Sequence, residues 1–464
     1  MKIQLWATLL MVGLTAGCAV GPNYKRPNVA LPANFRGTPQ ASAATAVSLA
    51  DTKWADLFQD EALKQLVTTA LQDNFDLRIA AQRILEARAQ LGITRSQLAP
   101  TLDASAQFNT LRQSSQGALA FVIPDASFTQ VGFNLGWELD VWGRIRRLTE
   151  SARAQFLATE EARRGVVITL IADVTTAYFE LRELDLELTI ARQTLETAQN
   201  GLRLTTVRRN NGAATGLDVH QAEVFLYTAT AQIAANERAI AQTENAINLL
   251  LGRMPADVAR GRALNDFVVP AQVPPGLSSA LLERRPDIRA AEQNLISANA
   301  EIGAAKAQYF PQITLTGLLG AQSQALSNLF TGPARSWNLA PAATLPIFNA
   351  GRLRNNVRLT EAFKEESLVS YQKAIYTSFR EVADALASYQ KTGEQRAQQE
   401  LLVAALRETE RLSTLRYRGG LDSYLQVLDA DRNLFQGQLA LAQLQREELL
   451  SVVQLYRSLG GGWQ

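Results

Sequence analysis

The chain has 464 residues, of which 47% are hydrophobic and 19% charged, which is enough to bury a large core and to form more than one domain. Because its 46 basic residues are matched by 44 acidic ones, the net charge of +2 gives no reason to expect a nucleic-acid partner. One cysteine and one histidine, His220, are too few for a Cys/His metal site, and no glycine-rich phosphate-binding loop occurs. We therefore predict no catalytic site, no metal and no enzymatic activity.

The N-terminus has the pattern of a lipoprotein signal. A lysine precedes an apolar run from Leu5 to Leu14, which is too short to cross a membrane as a helix but is typical of a signal peptide, here residues 1–17. Cys18 follows the sequence Leu-Thr-Ala-Gly, which resembles a bacterial lipobox although Thr15 replaces the usual leucine. Ala19 at the next position resembles the outer-membrane sorting signal. We expect a lipid on Cys18 and no other cofactor; the alternative is a free or buried thiol.

The next segments predict a tether and a helix. Residues 18–52 carry scattered prolines among small residues, which is typical of an extended, lipidated tether and not of a core element. Residues 53–100 form a helical segment, with apolar residues at helical spacing from 61 to 97 and Pro100 at the end.

The spacing of the apolar residues then changes from a helical period to a period of two residues, which predicts a β-hairpin over 101–140. Apolar and polar residues alternate through 101–113 and again through 126–140, each long enough for a strand that crosses a membrane. For either strand alone, a half-buried soluble hairpin is the alternative. The residues expected to contact lipid share one face: Leu102, Phe108, Val131, Phe133 and Leu135.

The longest predicted element runs from Arg144 to Asn210 without a proline and would reach roughly 100 Å as a helix at 1.5 Å per residue. Its apolar residues recur at alternating steps of three and four over five repeats, which is the spacing of a coiled coil. The pattern stops at Gly212, and Thr-Gly-Leu before Asp218 has the form of a capping box that begins a returning helix. We therefore predict a long helical hairpin over 141–252.

The second half of the chain repeats the first. Pro100 matches Pro311 at a separation of 211, and Gly212 matches Gly420 at a separation of 208. The repeat predicts an irregular insert at 253–282 and a helical segment at 283–311. A second transmembrane β-hairpin then follows at 312–346, with strands at 312–322 and 334–346. A second long helical hairpin with the C-terminus occupies 347–464. Pro341 and a second proline predict that the last strand is an edge strand or is bent.

Four amphipathic strands cannot close a barrel, and open edges in lipid would leave backbone groups unpaired at several kcal/mol each. The chain is therefore expected to oligomerise. Two chains would supply eight strands, which side chains would fill, whereas three would supply twelve strands and leave a lumen.

Several short motifs follow one another in a fixed order along the chain. They are Val20-Gly-Pro-Asn-Tyr-Lys-Arg-Pro27, Arg284-Arg-Pro-Asp-Ile288, Phe310-Pro311, Arg416-Tyr417, and Gly420 through Leu425 to Leu428-Asp-Ala430. With the lipobox, these motifs make the chain resemble the outer-membrane factor family, the TolC-like and OprM-like lipoproteins of tripartite efflux systems, of the NodT type. The resemblance implies a mainly α fold with a membrane β part: a homotrimer with a twelve-stranded β-barrel in outer-membrane lipid and duplicated helical hairpins in a periplasmic α-barrel.

The resemblance also implies a passive exit duct for small molecules such as drugs. The implied partners are a periplasmic adaptor, or membrane fusion protein, and an inner-membrane transporter of the resistance-nodulation-division type. The implied location is the outer membrane, lipid-anchored and extending into the periplasm. A type I secretion duct would use the same architecture, and a coiled-coil structural lipoprotein without a channel is the alternative of another class. The four strands and duplicated hairpins favour the duct, because a stalk needs neither.

In that family, inward-bent helices close the periplasmic tip. Matching motifs assign this gate to Asp218, Arg416, Tyr417, Leu425, Asp429 and Arg432, with Gly212 and Gly420 at the two hairpin turns. Simpler roles exist: Asp218 can complete a capping box, and Asp429 with Arg432 can form an i, i+3 pair worth about 0.2 to 0.5 kcal/mol. Three copies of Leu425 around an axis would exclude water from a constriction.

Overall fold

The computed structural model describes residues 19–36, 48–112, 126–269, 274, 276 and 278–461. The predicted signal peptide and the lipid site Cys18 lie outside the described residues. The chain divides into two compact units. Unit 1 comprises the described residues up to Asn28, Arg83–Glu160 and Ala290–Gln372, and unit 2 comprises those of Val29–Gln82, Glu161–Arg289 and Lys373–Gln464.

Helices and strands follow each other in the predicted order. The elements are α1 (Glu61–Asp73), α2 (Phe75–Ser96), β1 (Thr101–Leu111), β2 (Ala126–Leu139), α3 (Arg144–Asn210), α4 (Gly216–Leu250), α5 (Pro286–Ala307), β3 (Gln312–Ser323), β4 (Arg335–Thr344), α6 (Arg352–Arg418) and α7 (Tyr424–Ser458). Short helical turns at Trp54–Leu57 and Leu281–Arg284 precede α1 and α5. The predicted fold class, mainly helical with four strands in one chain, is confirmed. In the part of the chain that the structure describes, no helix is both long and apolar enough to cross a membrane.

Two helices predicted as continuous are interrupted. The helix expected over 61–97 breaks at Asn74, whose side chain accepts a hydrogen bond from the Leu77 amide at 3.0 Å and donates one to the Leu250 carbonyl at 2.8 Å. The segment expected over 283–309 breaks at Arg285, because the residue before a proline is disfavoured in the helical region. The two breaks are 211 positions apart, so they belong to equivalent places in the repeat.

The four strands of unit 1 form one antiparallel sheet in the order β1-β2-β3-β4. Its register aligns Ala104 with Phe133, Phe133 with Leu319, and Leu319 with Trp337. Strand β4 is an edge strand, as its prolines predicted, and it is shorter than the predicted 334–346. Strand β1 ends at Leu111 and not at 113.

The register gives the sheet two different faces, since side chains alternate along each strand. One face is apolar across all four strands and includes the five residues that we predicted to share it. Phe108 and Trp337 on this face are 69% and 78% exposed. The other face is polar, with Asn134 donating to the Ser105 hydroxyl at 2.7 Å.

The N-terminal segment packs against unit 1. The Val20 amide donates to the Trp142 carbonyl at 3.0 Å, and the Trp142 ring stacks on Phe310 with centroids 4.7 Å apart. Arg147 is buried and donates to the Val20 carbonyl at 3.1 Å and to the Asn23 side chain at 2.8 Å. The tether is therefore held at its start by a buried guanidinium.

Asp60 organises the core of unit 2. Its carboxylate accepts hydrogen bonds from the Leu63 amide at 3.0 Å, the Tyr178 hydroxyl at 3.0 Å and the Arg262 amide at 2.8 Å. One side chain thus fixes the start of α1, the middle of α3 and the insert. Burial raises the pKa of Tyr178 to about 12, which keeps its hydroxyl protonated as a donor.

Elsewhere in this unit, the Tyr456 hydroxyl donates to the Thr52 carbonyl at 2.8 Å, 404 positions earlier.

Candidate functional site

The two hairpin turns of unit 2 contain the predicted tip glycines. Gly212 has a φ of +74° and Gly420 a φ of +75°, a left-handed conformation in which glycine avoids the steric cost of a side chain. Each glycine follows a long helix and precedes a returning one. Both glycines therefore lie in turns between two long helices, and their place at a periplasmic tip stays a prediction.

The two turns are stabilised by different side-chain contacts. At the first, Thr215 and Asp218 form the predicted capping box: the Asp218 amide donates to the Thr215 hydroxyl at 3.2 Å, and the Thr215 amide donates to the Asp218 carboxylate at 2.7 Å. At the second, Ser423 makes no side-chain cap, and Arg416 forms a two-point ion pair with Asp422 at 2.5 and 3.1 Å. This hydrogen-bonded guanidinium holds the pKa of Asp422 below its usual range.

Tyr417 is a core residue of the tip. It is 5% exposed, and its ring lies 5.4 Å from that of Tyr424. The Arg208 guanidinium, from the end of α3, lies 4.4 Å from the centre of the Tyr417 ring and donates to the Tyr417 carbonyl oxygen at 2.8 Å. Tyr417 therefore connects the first helical hairpin to the second within one chain.

Leu425, Asp429 and Arg432 line one groove between α4 and α7. Leu425 is 52% exposed in the single chain. The expected ion pair between Asp429 and Arg432 is not formed among the described residues. Instead, Asp429 accepts a hydrogen bond at 3.2 Å from the side chain of Asn433, which lies four positions later on the same helical face.

The structure thus places all six predicted gate residues in unit 2, but not in one cluster. Three line the groove, Tyr417 is buried beside it in the chain's own core, and Asp218 and Arg416 are engaged in their own turns. Sequence reasoning missed Arg208, Asp422 and Tyr424. Asp422 and Tyr424 lie inside the motif that begins at Gly420, so the motif could have indicated them.

The described residues also contain no group of three or more His, Cys, Asp or Glu side chains placed to hold a metal ion. His220 is exposed and contacts Glu223 three positions later at 2.7 Å, as is usual for a pair on a helix surface.

Comparison with known sequences decides the family. The sequence model described as outer membrane efflux protein matches residues 66–253 and 277–461, which is most of the chain. The chain belongs to the outer membrane efflux protein family.

Curated relatives and solved structures agree with this assignment. This member of the efflux family is 41% identical over 460 residues to the solvent efflux pump outer membrane protein SrpC of Pseudomonas putida, covering 98% of this chain and 97% of SrpC. It is 39% identical over 465 residues to the outer membrane protein OprJ of Pseudomonas aeruginosa, covering 100% of this chain and 97% of OprJ. The structure resembles the open state of the Neisseria gonorrhoeae MtrE outer membrane channel with a TM-score of 0.85 and 33% identity, covering 96% of this chain and 99% of MtrE. The protein is a transport protein of the outer membrane that serves efflux.

Proposed function

We propose that three copies of this chain form the exit duct of a tripartite efflux system. The observation that carries the proposal is the continuous apolar face of the four-stranded sheet, which ends in two unpaired edge strands, β1 and β4. Edge-to-edge pairing of three such sheets closes a twelve-stranded barrel, pairs every edge and presents the apolar face to lipid.

The lipid anchor on Cys18 is part of the same proposal. Only Ala19 separates this cysteine from Val20, whose amide is bonded to Trp142 immediately after β2. The described chain is therefore fixed close to the end of β2 from the second residue after the lipid site. Several acyl chains hold a protein on a membrane far more stably than one.

Transport through this duct is passive, and the protein has no enzymatic activity of its own. The driving energy would come from an inner-membrane pump of the resistance-nodulation-division type, joined to the duct by a periplasmic adaptor. The name of the relative SrpC, a solvent efflux pump outer membrane protein, supports efflux-pump membership and small organic molecules as cargo. Solvents and antibiotics are the cargo classes that we propose for this chain.

The gate would lie at the two hairpin turns. Leu425 is exposed in the single chain, so three copies around an axis would bury apolar area against each other and exclude water. Arg416 with Asp422, Tyr417 with Arg208, and the Asp218 capping box would hold the helix ends in the closed arrangement. Opening then requires a partner that binds the splayed tip better than the closed one.

Two measurements test the duct. The purified protein should insert into planar bilayers and conduct, and expression with its adaptor and pump should restore solvent and antibiotic resistance to a host that lacks its own exit duct. A protein that inserts but never conducts, even after its tip has been loosened by substitution, would contradict the proposal. Restored resistance without any conductance would indicate a structural role in a channel formed by another protein.

A further inference from the structure

An open cavity of about 600 Å³ lies at the surface of unit 2, between the ends of α3 and α6 and the first turns of α7. Two carboxylates line it, Asp431 from α7 and Glu410 from α6. Side-chain oxygen atoms of Asn200, Thr414 and Tyr417 also line it, beside apolar residues such as Leu204 and Val427. This cavity is separate from the groove of Leu425, Asp429 and Arg432, whose lining shares none of these residues.

Asp431 is a mostly buried acidic residue. The residue is 8% exposed, and within the described ranges it makes no hydrogen bond and no ion pair. Burial and the nearby Glu410 both raise the pKa of Asp431, because each disfavours its charged form. A buried ionised carboxylate is costly unless a cation or hydrogen-bond donors compensate it.

One polar group that lines the same cavity is fully buried and unsatisfied. The Tyr417 hydroxyl is buried and has no hydrogen-bond partner in the described structure, although most buried polar side-chain atoms have one. Glu410 accepts only a long hydrogen bond, 3.3 Å, from the Thr414 hydroxyl. The lining therefore offers several oxygen atoms whose bonding capacity is unused.

The basic residues nearby do not neutralise these carboxylates. Arg203 and Arg418 line the cavity but are exposed, and Arg203 donates to the Asn200 side chain. Arg208 is directed at the Tyr417 ring and the carbonyl oxygens of Tyr417 and Arg418. In the described contacts, none of these three forms an ion pair with Asp431 or Glu410.

We propose that this cavity binds a hard divalent cation, Ca²⁺ or Mg²⁺, between Asp431 and Glu410. Such cations prefer carboxylate and neutral oxygen ligands, and the size of the cavity allows the ion to keep several waters. Two carboxylates give a site of modest affinity, of the order of 10⁻⁴ to 10⁻³ M for Ca²⁺. The bound ion joins α6 to α7 on either side of the turn at Gly420, so it stabilises that hairpin end in every chain. This inference concerns binding and does not depend on the duct.

Terbium provides the direct test, because Tb³⁺ occupies Ca²⁺ sites and luminesces when tyrosines beside it are excited. The full-length protein in detergent, freed of metal with a chelator, should bind Tb³⁺ with luminescence that Ca²⁺ competes away. Asp431→Asn should lose most of this signal, and Glu410→Gln should weaken binding at least tenfold. Glu408→Gln is the matched control, since Glu408 lies two positions from Glu410, is exposed and does not line the cavity, and it should keep the signal.

A second measurement uses thermal unfolding at constant ionic strength. Ca²⁺ should raise the Tm of the wild type and of Glu408→Gln by several degrees, and it should leave the Tm of Asp431→Asn unchanged. The proposal is wrong if Asp431→Asn keeps the Tb³⁺ signal or if Na⁺ gives the same Tm shift as Ca²⁺. It is also wrong if the wild type binds no Tb³⁺ and Asp431→Asn has a higher Tm than the wild type. In that case Asp431 would be only a mostly buried carboxyl group that is held protonated. Glu410→Gln decides the question if Asp431→Asn does not fold.

Discussion

The guanidinium of Arg208 lies over the ring of Tyr417 at 4.4 Å and donates a hydrogen bond to the carbonyl oxygen of the same residue. Arg208 also reaches the Arg418 carbonyl at 3.5 Å. These carbonyls are at the end of α6, where a helix carries partial negative charge. A cation from the first hairpin thus binds the end of the second, and the two hairpins cannot separate without breaking this contact.

Arg208→Gln should therefore loosen the proposed gate. Losing the cation–π contact and the charged hydrogen bond should cost about 1 to 2 kcal/mol per chain, a 5- to 30-fold shift towards the open state. Single-channel recording should show a larger or more frequent open conductance. Arg209→Gln is the control, because Arg209 is exposed and adjacent. Equal conductance in the two variants would show that Arg208 does not hold the tip closed.

The apolar face of the sheet predicts which substitutions disturb membrane insertion. Leu135→Arg places a charge on that face, which should cost about 2 to 4 kcal/mol near the bilayer midplane and reduce the trimer in the outer membrane. Gln107→Arg places the same charge on the polar face and should have little effect, since Gln107 pairs with Gln130 there. Quantifying trimer in purified outer membranes tests this difference, and similar losses in both variants would mean that the two faces are not distinguished by lipid.

The free energy of local unfolding at the start of α7 should depend on pH through Asp431. Burial raises the pKa of Asp431 to about 7 from a usual value near 4, so the folded state binds a proton more tightly than the unfolded state. Stability is then greatest below about pH 4 and falls as the pH rises to 7, by about 3 to 4 kcal/mol at most. Hydrogen exchange of residues 424–435 in metal-free buffer, corrected for the intrinsic rate, should become faster over this range.

Two variants check that Asp431 is the titrating group. Asp431→Asn should remove the pH dependence, because the amide does not ionise. Asp429→Asn should keep it, since that residue is exposed. The assignment fails if the slope survives in Asp431→Asn.

Cys18→Ser should leave the precursor unprocessed while residues 53–464 still fold, because the tether contacts unit 1 through later residues such as Val20. Mass spectrometry of the wild-type N-terminus should show an acylated cysteine. An unmodified thiol in the mature wild-type protein would contradict the lipid prediction. Circular dichroism of the purified variant should show an unchanged helix content.

Elements with a long repeated pattern were predictable. Helix α3 was predicted with its observed ends, Arg144 and Asn210, because a heptad pattern over many turns defines a helix better than any single residue does. The break at Asn74 was not predicted, since it depends on the Leu250 carbonyl 176 positions later. Such a partner is visible only once the fold has brought the two segments together.

The tip shows the same difference. The capping box at Thr215 and Asp218 is local and was predicted from four residues. The contact of Arg208 with Tyr417 was missed because consecutive arginines at the end of a helix also suit the helix dipole alone. An i, i+3 pattern alone also did not reveal that Asp429 bonds to Asn433 and not to Arg432.

The hydrogen bond from the Tyr456 hydroxyl to the Thr52 carbonyl has a consequence for the order of assembly. A chain is delivered from its N-terminus, so the segment that contains Thr52 reaches its compartment long before Tyr456 does. Contacts between residues so far apart form slowly, since a large loop must close first. Until Tyr456 has arrived, the apolar surfaces of unit 2 have no complete set of neighbours, and aggregation competes with folding. We expect newly delivered chains to depend on a holding chaperone throughout this interval.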